Sequence, residues 1–254
     1  MAIFDVQNVH ISLAGQPILR NLSFSIEKGE SVCIIGQSGC GKTVLLKLLV
    51  GLLSPTAGEL VFDGKSLQTL TGKQLQAMRQ RIGLLFQSGA LFDSLSAIDN
   101  VIFPLQARGI GVAEVLARAT AALEEVGLAS NLHRKMPADL SGGQRKRVGL
   151  ARSLALNPDV MLYDEPTTGL DPVITARINE LIVQTRERHH VTSIVVTHDL
   201  STVQRVANRV IMLYPLNQLQ SDESQILFDG TPEALFQHSD PRIQQFVTGA
   251  ACPA

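Results

Sequence analysis

The sequence is short of cysteine, of net charge and of long apolar runs. Its three cysteines, Cys33, Cys40 and Cys252, are too few and too scattered for a disulfide framework or a zinc site, and they suit a reducing compartment. The formal charge is −1, so no global electrostatic field recruits nucleic acid or anionic lipid. No stretch reaches the roughly 18 apolar residues of a membrane helix, and the start, MAIFDVQNVH, lacks the basic and apolar regions of a signal peptide. These absences predict a cytoplasmic protein that has no nucleic-acid partner and needs another subunit to hold it at a membrane.

Composition and the order of the apolar segments indicate a globular α/β fold. Of the 254 residues, 45% are apolar and 18% are charged, which is typical of a folded domain. Runs of β type dominate the beginning, where a helix is predicted from Lys42 to about Leu53 and TAGELVFDG is predicted to be a strand that ends in an Asp-Gly turn. The middle is rich in Ala, Leu and Glu at helical spacing, with a helix predicted to end at Gly127, and β character returns in DVMLYDE and VTSIVVTHD. We therefore predict one domain with a core at 1–93 and 156–230, a helical subdomain at 94–155 and a C-terminal extension at 231–254.

A glycine-rich stretch, GQSGCGKT at residues 36–43, lies between a predicted strand and a predicted helix and matches the phosphate-binding pattern G-x-x-x-x-G-K-[ST]. A triphosphate needs several converging backbone N–H groups, which only a glycine-rich turn leaves uncovered, with a helix N-terminus behind them. Lys42 would reach the β- and γ-phosphates, and the Thr43 hydroxyl would bind Mg²⁺. The candidate phosphate-binding residues are Gly36, Gln37, Ser38, Gly39, Cys40, Gly41, Lys42, Thr43 and Val44.

Polar residues end three other apolar strands. Asp164 would belong to the Mg²⁺ site by holding a water molecule bound to the ion. Glu165 points elsewhere because side chains alternate along a strand, and it could polarise the attacking water or accept its proton. His198 would lie where the γ-phosphate is expected, and Gln87 would be a neutral ligand for Mg²⁺ or for the attacking water. Each of the four alone could be an ordinary strand end, and only the phosphate-binding loop upstream favours the catalytic interpretation.

The stretch DLSGGQRKR places Ser141, Gly142, Gly143 and Gln144 at the start of an amphipathic helix. None of these residues is a strong nucleophile, but small polar residues at a helix N-terminus allow an anion to approach closely, and the helix dipole favours it. The basic residues that follow, 145–147, are interpreted as a solvated helix face.

The order of these motifs, followed by GLDP at residues 169–172, resembles the nucleotide-binding subunits of ABC ATPases over residues 3–230. The resemblance implies a P-loop NTPase with a RecA-like core, an antiparallel β subdomain and an inserted α-helical subdomain, which uses ATP and Mg²⁺. It also implies a head-to-tail homodimer in which residues 141–144 contact the ATP held by the partner's phosphate-binding loop. Asp171 in GLDP would link the two sites.

One feature of that family is missing near the start of the chain. Where such proteins usually carry an aromatic residue that stacks on adenine, the register of VHISLAGQPILRNLSF places Leu13. Stacking of a base on an aromatic ring is worth roughly 1–3 kcal/mol. We therefore predict nucleotide binding with weak selectivity for adenine, with Leu13 on the adenine side.

Two further stretches, LLFQSGALFDSLSAIDNVIFPL and DPRIQQF, resemble the ATPase subunits of MCE-type lipid transporters. That resemblance implies a homodimer on the cytoplasmic face of the inner membrane, beneath an integral-membrane permease and with an MCE-domain protein. Some such systems add a STAS-domain protein, but the segment PLNQLQSDESQ is longer than the hairpin expected there, which leaves this partner open. An importer ATPase for small solutes would share every catalytic motif, and a soluble ABC ATPase outside transport is the third alternative.

Overall fold

The computed structural model describes residues 1–220 and 223–249, so Cys252 lies outside the described residues. In chain order the strands and helices are β1 Ala2–Leu13, β2 Gln16–Glu27, β3 Ser31–Ile35, α1 Lys42–Leu49, β4 Ala57–Phe62, β5 Lys65–Ser66, α2 Gly72–Arg79, β6 Ile82–Leu85, α3 Ala97–Ala107, α4 Val112–Glu125, α5 Gly142–Leu154, β7 Val160–Asp164, α6 Pro172–His189, β8 Thr192–Val196, α7 Leu200–Val206, β9 Arg209–Leu213, β10 Ile226–Gly230, α8 Pro232–Phe236 and α9 Pro241–Thr248. The chain forms two compact units: the first combines Met1–Arg79 with Thr192–Ala254, and the second is Gln80–Val191.

An antiparallel sheet in the first unit has the strand order β2-β1-β4-β5. Its strands alternate between buried and exposed side chains, which is the pattern of a sheet with one face in a core. The Phe4 and Phe62 rings, on paired residues of β1 and β4, lie 5.0 Å apart. Asp63 and Gly64 both have positive φ, 48° and 77°, so the predicted Asp-Gly turn after β4 is confirmed.

The other strands of the first unit place the phosphate-binding loop. All five residues of β3 are buried, and β3 pairs in parallel with β8 on one side and with β9 on the other. The carboxyl ends of β3 and β8 therefore lie at one edge, where the Thr197 N–H donates to the Ile34 carbonyl at 3.2 Å. Helix α1 ends at Leu49, earlier than the predicted Leu53, because Gly51 turns the chain with φ 66°.

The second unit combines the parallel pair β6–β7 with α3, α4, α5 and α6. It contains the whole of the segment 94–155 that the sequence assigned to a helical subdomain. Helix α4 stops at Glu125, and Gly127 follows with φ 68°, which confirms this glycine as the predicted end of the helix. Among the described residues, no helix combines the length and the apolar content needed to cross a membrane.

Candidate nucleotide site

Tight packing fixes the backbone of the phosphate-binding loop. Gly36 has φ 142°, and a Cβ there would lie 2.2 Å from the Leu213 carbonyl oxygen of β9. Gly41 has φ 100°, and a Cβ there would lie 2.5 Å from the Leu19 Cδ2 of β2. Any larger residue at these two positions would push the loop away from its neighbouring strands. The loop is therefore shaped before a ligand arrives.

The Lys42 side chain forms hydrogen bonds back to the phosphate-binding loop. Its Nζ donates to the carbonyl oxygens of Gly36 at 2.7 Å and Gln37 at 2.9 Å, and the side chain is half-buried. Ser38 and Thr43 are exposed on the loop and on the first turn of α1. Because Gly41 has no side chain to cap α1, the first N–H groups of this helix are available to donate hydrogen bonds to an anion.

A cavity of about 260 Å³ adjoins this loop inside the first unit. The described residues that line it come from the start of β2, from the loop and from the β9–β10 connection: Pro17, Ile18, Gln37, Ser38, Gly39, Pro215, Leu216, Asn217 and Gln218. Leu13, 38% exposed at the end of β1, is outside this lining. His198 is exposed and follows Thr197 at the same sheet edge as the loop.

Gln87, Asp164 and Glu165 lie in the second unit, after two paired strands. Leu85 of β6 pairs in parallel with Tyr163 of β7, so the residues that follow both strands share one edge. Glu165 has φ 50°, a left-handed conformation that costs a non-glycine residue on the order of 1–3 kcal/mol and is common at functional sites. Its Oε2 accepts a hydrogen bond from the Thr168 hydroxyl at 2.9 Å, which fixes the carboxylate.

The residues of the LSGGQ stretch begin α5 with a capping box. Ser141 Oγ accepts from the Gln144 N–H at 3.3 Å, and Gln144 Oε1 accepts from the Ser141 N–H at 2.9 Å. A Cβ on Gly143 would lie 2.6 Å from Ile174 Cγ2 of α6, so this glycine also serves close helix packing. Asp171, after the Gly169 turn, caps α6 by accepting from the N–H groups of residues 173 and 174.

The interpretation of the basic residues 145–147 as a solvated helix face is wrong. Lys146 is 4% exposed, and its Nζ donates to the Thr168 carbonyl at 2.8 Å. Arg145 and Arg147 are half-buried and donate to the carbonyls of Leu140 at 2.6 Å and Gly127 at 3.0 Å. The reason is that α5 packs against α3, α4 and α6, which leaves this helix little free surface.

A comparison with protein-family models matches residues 19–168 to the family described as "ABC transporter". The chain belongs to the ABC transporter family. It is an ATP-binding protein and an ATPase, and the predicted P-loop ATPase fold is confirmed.

Curated relatives of this ABC ATPase include two kinds of transporter subunit. The intermembrane phospholipid transport system ATP-binding protein MlaF of Haemophilus influenzae is 39% identical over 249 residues, 97% of this chain and 90% of that protein. The Escherichia coli K12 protein of the same name is 35% identical over 98% of this chain. The methionine import ATP-binding protein MetN of Caulobacter vibrioides is 40% identical over 88% of this chain but only 65% of that protein.

Solved structures with the same fold are ABC cassettes. Clostridium perfringens cbiO1, part of the cbiONQ transporter complex, has a TM-score of 0.82 at 29% identity and covers 93% of this chain and 91% of its own. The dimeric cassette MJ0796 in a post-hydrolysis state with ADP and phosphate has a TM-score of 0.78 at 30% identity, covering 90% of this chain and 98% of its own.

Two buried amides of this ABC ATPase were not predicted from the sequence. Asn100 is fully buried, accepts from the Phe92 N–H and donates to the carbonyls of Phe92, Leu95 and Ser96, so it shapes the loop before α3. Gln225, also fully buried, bonds to β2 and to the phosphate-binding loop. Gln225 bonds to residues 185 to 207 positions away, so no local pattern marks it. Asn100 bonds to residues only four to eight positions away, within the loop that it shapes.

The buried ammonium of Lys146 predicts a measurable pH dependence of stability. Burial lowers the pKa of Lys146 from 10.5 to about 8, and the nearby Glu165 carboxylate opposes part of that shift. Between these two pH values the unfolded chain holds the proton and the folded chain has lost it, so the free energy of unfolding rises with pH. We expect wild type to gain stability relative to Lys146→Met across this window, on the order of 1–3 kcal/mol.

Denaturant unfolding of both proteins between about pH 7.5 and 9.5 measures this difference. The hydrogen bond to Thr168 is missing in the variant at every pH, so it adds only a constant offset. A difference that stays constant, or that shrinks as pH rises, would contradict the lowered pKa of Lys146.

Proposed function

We propose that this chain is the ATP-hydrolysing subunit of an ABC transporter that moves phospholipid between the inner and outer membranes. It would act as a homodimer on the cytoplasmic face of the inner membrane, beneath an integral-membrane permease and together with an MCE-domain protein. A STAS-domain protein is an optional further partner. The observation that carries the proposal is the similarity to MlaF along 97% of this chain and 90% of that relative.

The phosphate-binding loop would hold the triphosphate. Lys42 would exchange its bonds to the two loop carbonyls for the β- and γ-phosphate oxygens, and the N–H groups of residues 36–44 would surround the β-phosphate. Thr43, Gln87 and Asp164 present oxygen atoms, the ligand type that Mg²⁺ prefers, and one carboxylate is the number usual when phosphates complete the shell. Bound there, Mg²⁺ would neutralise charge on the phosphates.

Hydrolysis would depend on Glu165. Its carboxylate, oriented by Thr168, would accept a proton as water attacks the γ-phosphate, and the developing charge would be stabilised by Lys42. Gln87 would orient the same water, and His198 would donate a hydrogen bond to the γ-phosphate.

Residues 141–144 would act on the partner's nucleotide. The capping box fixes Ser141 at the N-terminus of α5, so its hydroxyl and the first N–H groups of the helix form a ready anion site. Asp171 holds the start of α6, and the turn before it would contact the partner in the closed dimer.

An exposed aromatic surface in the second unit would receive the permease. Phe86, Phe92 and Phe103 are 41%, 45% and 50% exposed, and the rings of Phe92 and Phe103 lie 4.9 Å apart. The Arg152 guanidinium lies 5.9 Å from the Phe92 ring centroid, and Asn100 holds the backbone of Phe92. Neighbouring exposed aromatic rings in a fixed loop are typical of a protein-binding surface.

The importer alternative fits the comparisons less well. Identity with MetN is as high as with MlaF, but that match leaves about a third of MetN uncovered, whereas the match with MlaF spans nearly the whole relative. The catalytic motifs are common to both kinds of subunit and do not separate them.

A pull-down from native membranes tests the transport assignment. The bait is tagged Glu165→Gln protein held with Mg-ATP, and co-purifying proteins and lipids are identified by mass spectrometry. We expect a multi-span permease, an MCE-domain protein and bound phospholipid. Recovery of a permease with a solute-binding protein would support the importer, and recovery of ribosomes, DNA or no membrane protein would refute transport.

A matched pair of baits tests the docking surface in the same experiment. Phe103→Ser removes one of the paired exposed rings, and Val112→Ser changes an apolar residue that is 81% exposed and outside that surface. Only the first change should lose the permease, while both baits should still bind ATP.

A further inference from the structure

The backbone carbonyl of Cys40, in the middle of the phosphate-binding loop, is held by a side chain from near the end of the chain. Gln225, which directly precedes β10, donates from Nε2 to this carbonyl at 3.1 Å. Gln225 is 0% exposed and Cys40 is 1% exposed. Because water is excluded from this pair, loss of the hydrogen bond would leave a buried carbonyl oxygen unsatisfied.

The peptide that joins Cys40 to Gly41 needs such a restraint. Gly39 and Gly41 have φ 82° and 100°, conformations that glycine adopts without steric cost. Glycine also loses more conformational entropy than any other residue when it is fixed. A peptide between two such residues can rotate unless a neighbour holds it, and the Gln225 amide is a neighbour that does so.

Fixing the Cys40 carbonyl also fixes the direction of the next N–H group. In a planar trans peptide the C=O and N–H bonds point to opposite sides. With the Cys40 carbonyl directed at Gln225, the Gly41 N–H is directed away from it, at the start of α1. A phosphate-binding loop works through N–H groups that converge on one anion. The bond from Gln225 therefore sets the orientation of an N–H group on which anion binding depends.

Bonds to β2 fix the Gln225 amide itself. Its Oε1 accepts from the Arg20 N–H at 2.8 Å, and its Nε2 also donates to the Ile18 carbonyl at 3.1 Å. The amide thus accepts once and donates twice. An ionised glutamate at this position would lack the two donors, and a lysine would lack the acceptor. The pattern of hydrogen bonds is therefore specific to an amide side chain.

The segment that carries Gln225 is anchored without help from the loop. The Arg20 guanidinium donates to the carbonyls of Gln220 at 2.7 Å and Glu223 at 3.0 Å. Arg242 of α9 donates to the Glu223 carboxylate at 3.0 Å. Because none of these bonds involves the loop, Gln225 is in position before a nucleotide arrives. A loop that is ordered in advance lowers the entropic cost of binding.

We propose that Gln225 is a positioning residue of the ATP site, which acts through the Cys40 carbonyl to keep the phosphate-binding loop in the conformation that binds the triphosphate. This inference rests on the proposed role of residues 36–44 in holding the triphosphate. Gln225 bonds to the loop and not to the nucleotide, so it favours the bound substrate and the transition state equally. Loss of such an interaction raises KM and leaves kcat unchanged.

Two substitutions of Gln225 and one matched control test the proposal. Gln225→Met keeps the length of the side chain and removes its three hydrogen bonds. Gln225→Asn keeps a buried amide but is one methylene group too short to span β2 and the loop, so it gives a second test if the Met variant does not fold. The control Ser31→Ala removes another buried hydrogen bond of the same unit, from Ser31 Oγ to the Val206 carbonyl at 2.7 Å. Ser31 begins β3, at the end of the strand opposite to the loop.

Binding and turnover should be measured on the same proteins. The ligands are ATP and inorganic tripolyphosphate, with Kd determined by calorimetry in the presence of Mg²⁺. Steady-state hydrolysis gives kcat and KM, and the melting temperature reports general stability. Lys42→Ala is included because its side chain belongs to the loop.

We expect both Gln225 variants to bind ATP and tripolyphosphate about 10-fold more weakly, the factor expected for one hydrogen bond. The two ligands should lose affinity equally, since the loop is proposed to hold phosphates and not the nucleoside. KM for ATP should rise by the same factor, with kcat close to that of wild type. Ser31→Ala should have a lower melting temperature but the Kd and KM of wild type.

Three outcomes would overturn the inference. Wild-type Kd for both ligands in the Gln225 variants would show that the loop keeps its conformation without this amide. A loss of affinity for ATP alone would mean that Gln225 acts on the nucleoside. The same rise of Kd and KM in Ser31→Ala would show that general destabilisation is the cause. If Lys42→Ala binds both ligands as wild type does, the proposed role of the loop has failed instead.

Discussion

Replacing Glu165 by Gln is expected to slow ATP hydrolysis by about 10²–10⁴-fold, the usual contribution of a general base. The amide keeps the shape of the side chain and can still accept from the Thr168 hydroxyl, but it cannot take a proton from water. ATP affinity should stay near that of wild type, because the residue is proposed to act on water and not on the phosphates. The closed dimer should then accumulate with Mg-ATP.

Single-turnover hydrolysis and light scattering measure the two effects separately. Glu187→Gln on α6 is the matched control, since it makes the same change in a side chain that is 64% exposed. A wild-type rate of hydrolysis in the Glu165 variant would show that the Glu165 carboxylate is not the general base. A large loss of ATP affinity would show that it binds the nucleotide directly.

Replacing Lys42 by Ala is expected to lower kcat/KM for ATP hydrolysis by on the order of 10²–10⁴. Hydrogen bonds to charged groups are worth about 1.5–3 kcal/mol each, and two phosphates would lose such a bond. The loop carbonyls of Gly36 and Gln37 also lose their donor, so the loop should be less well ordered without nucleotide.

Lys47→Ala provides the control for Lys42, because Lys47 is exposed on the last turn of the same helix. Steady-state hydrolysis and the melting temperature should be measured together. Loss of activity with an unchanged melting temperature supports the phosphate-binding role. Equal activity of the two variants would exclude it.

The features of the fold and of the candidate site that could be predicted from the sequence are those that depend on a few adjacent residues. The phosphate-binding loop, the Asp-Gly turn after β4 and the end of α4 at Gly127 each follow from a few adjacent residues with fixed conformational demands. Those features were predicted correctly. The length of α1 was overestimated, because its apolar residues continue past the turn at Gly51.

The features that could not be predicted depend on contacts between residues that are far apart in the sequence. Three adjacent basic residues are typical of a solvated surface, yet Lys146 is buried because α5 packs against other helices. Gln225 bonds to Arg20 across 205 residues of sequence, so no window of adjacent residues reveals it.

The link between Lys146 and Thr168 has a consequence for timing in a dimer. Lys146 lies on the helix proposed to contact the partner's nucleotide, and Thr168 holds both the Lys146 ammonium and the Glu165 carboxylate. Two hydrogen bonds therefore connect the helix proposed to contact one ATP with the carboxylate proposed to act on the other. If the proposed dimer forms, displacement of that helix when the partner's ATP is cleaved would shift Glu165, so hydrolysis at the two sites should be coupled, and Lys146→Met should weaken the coupling.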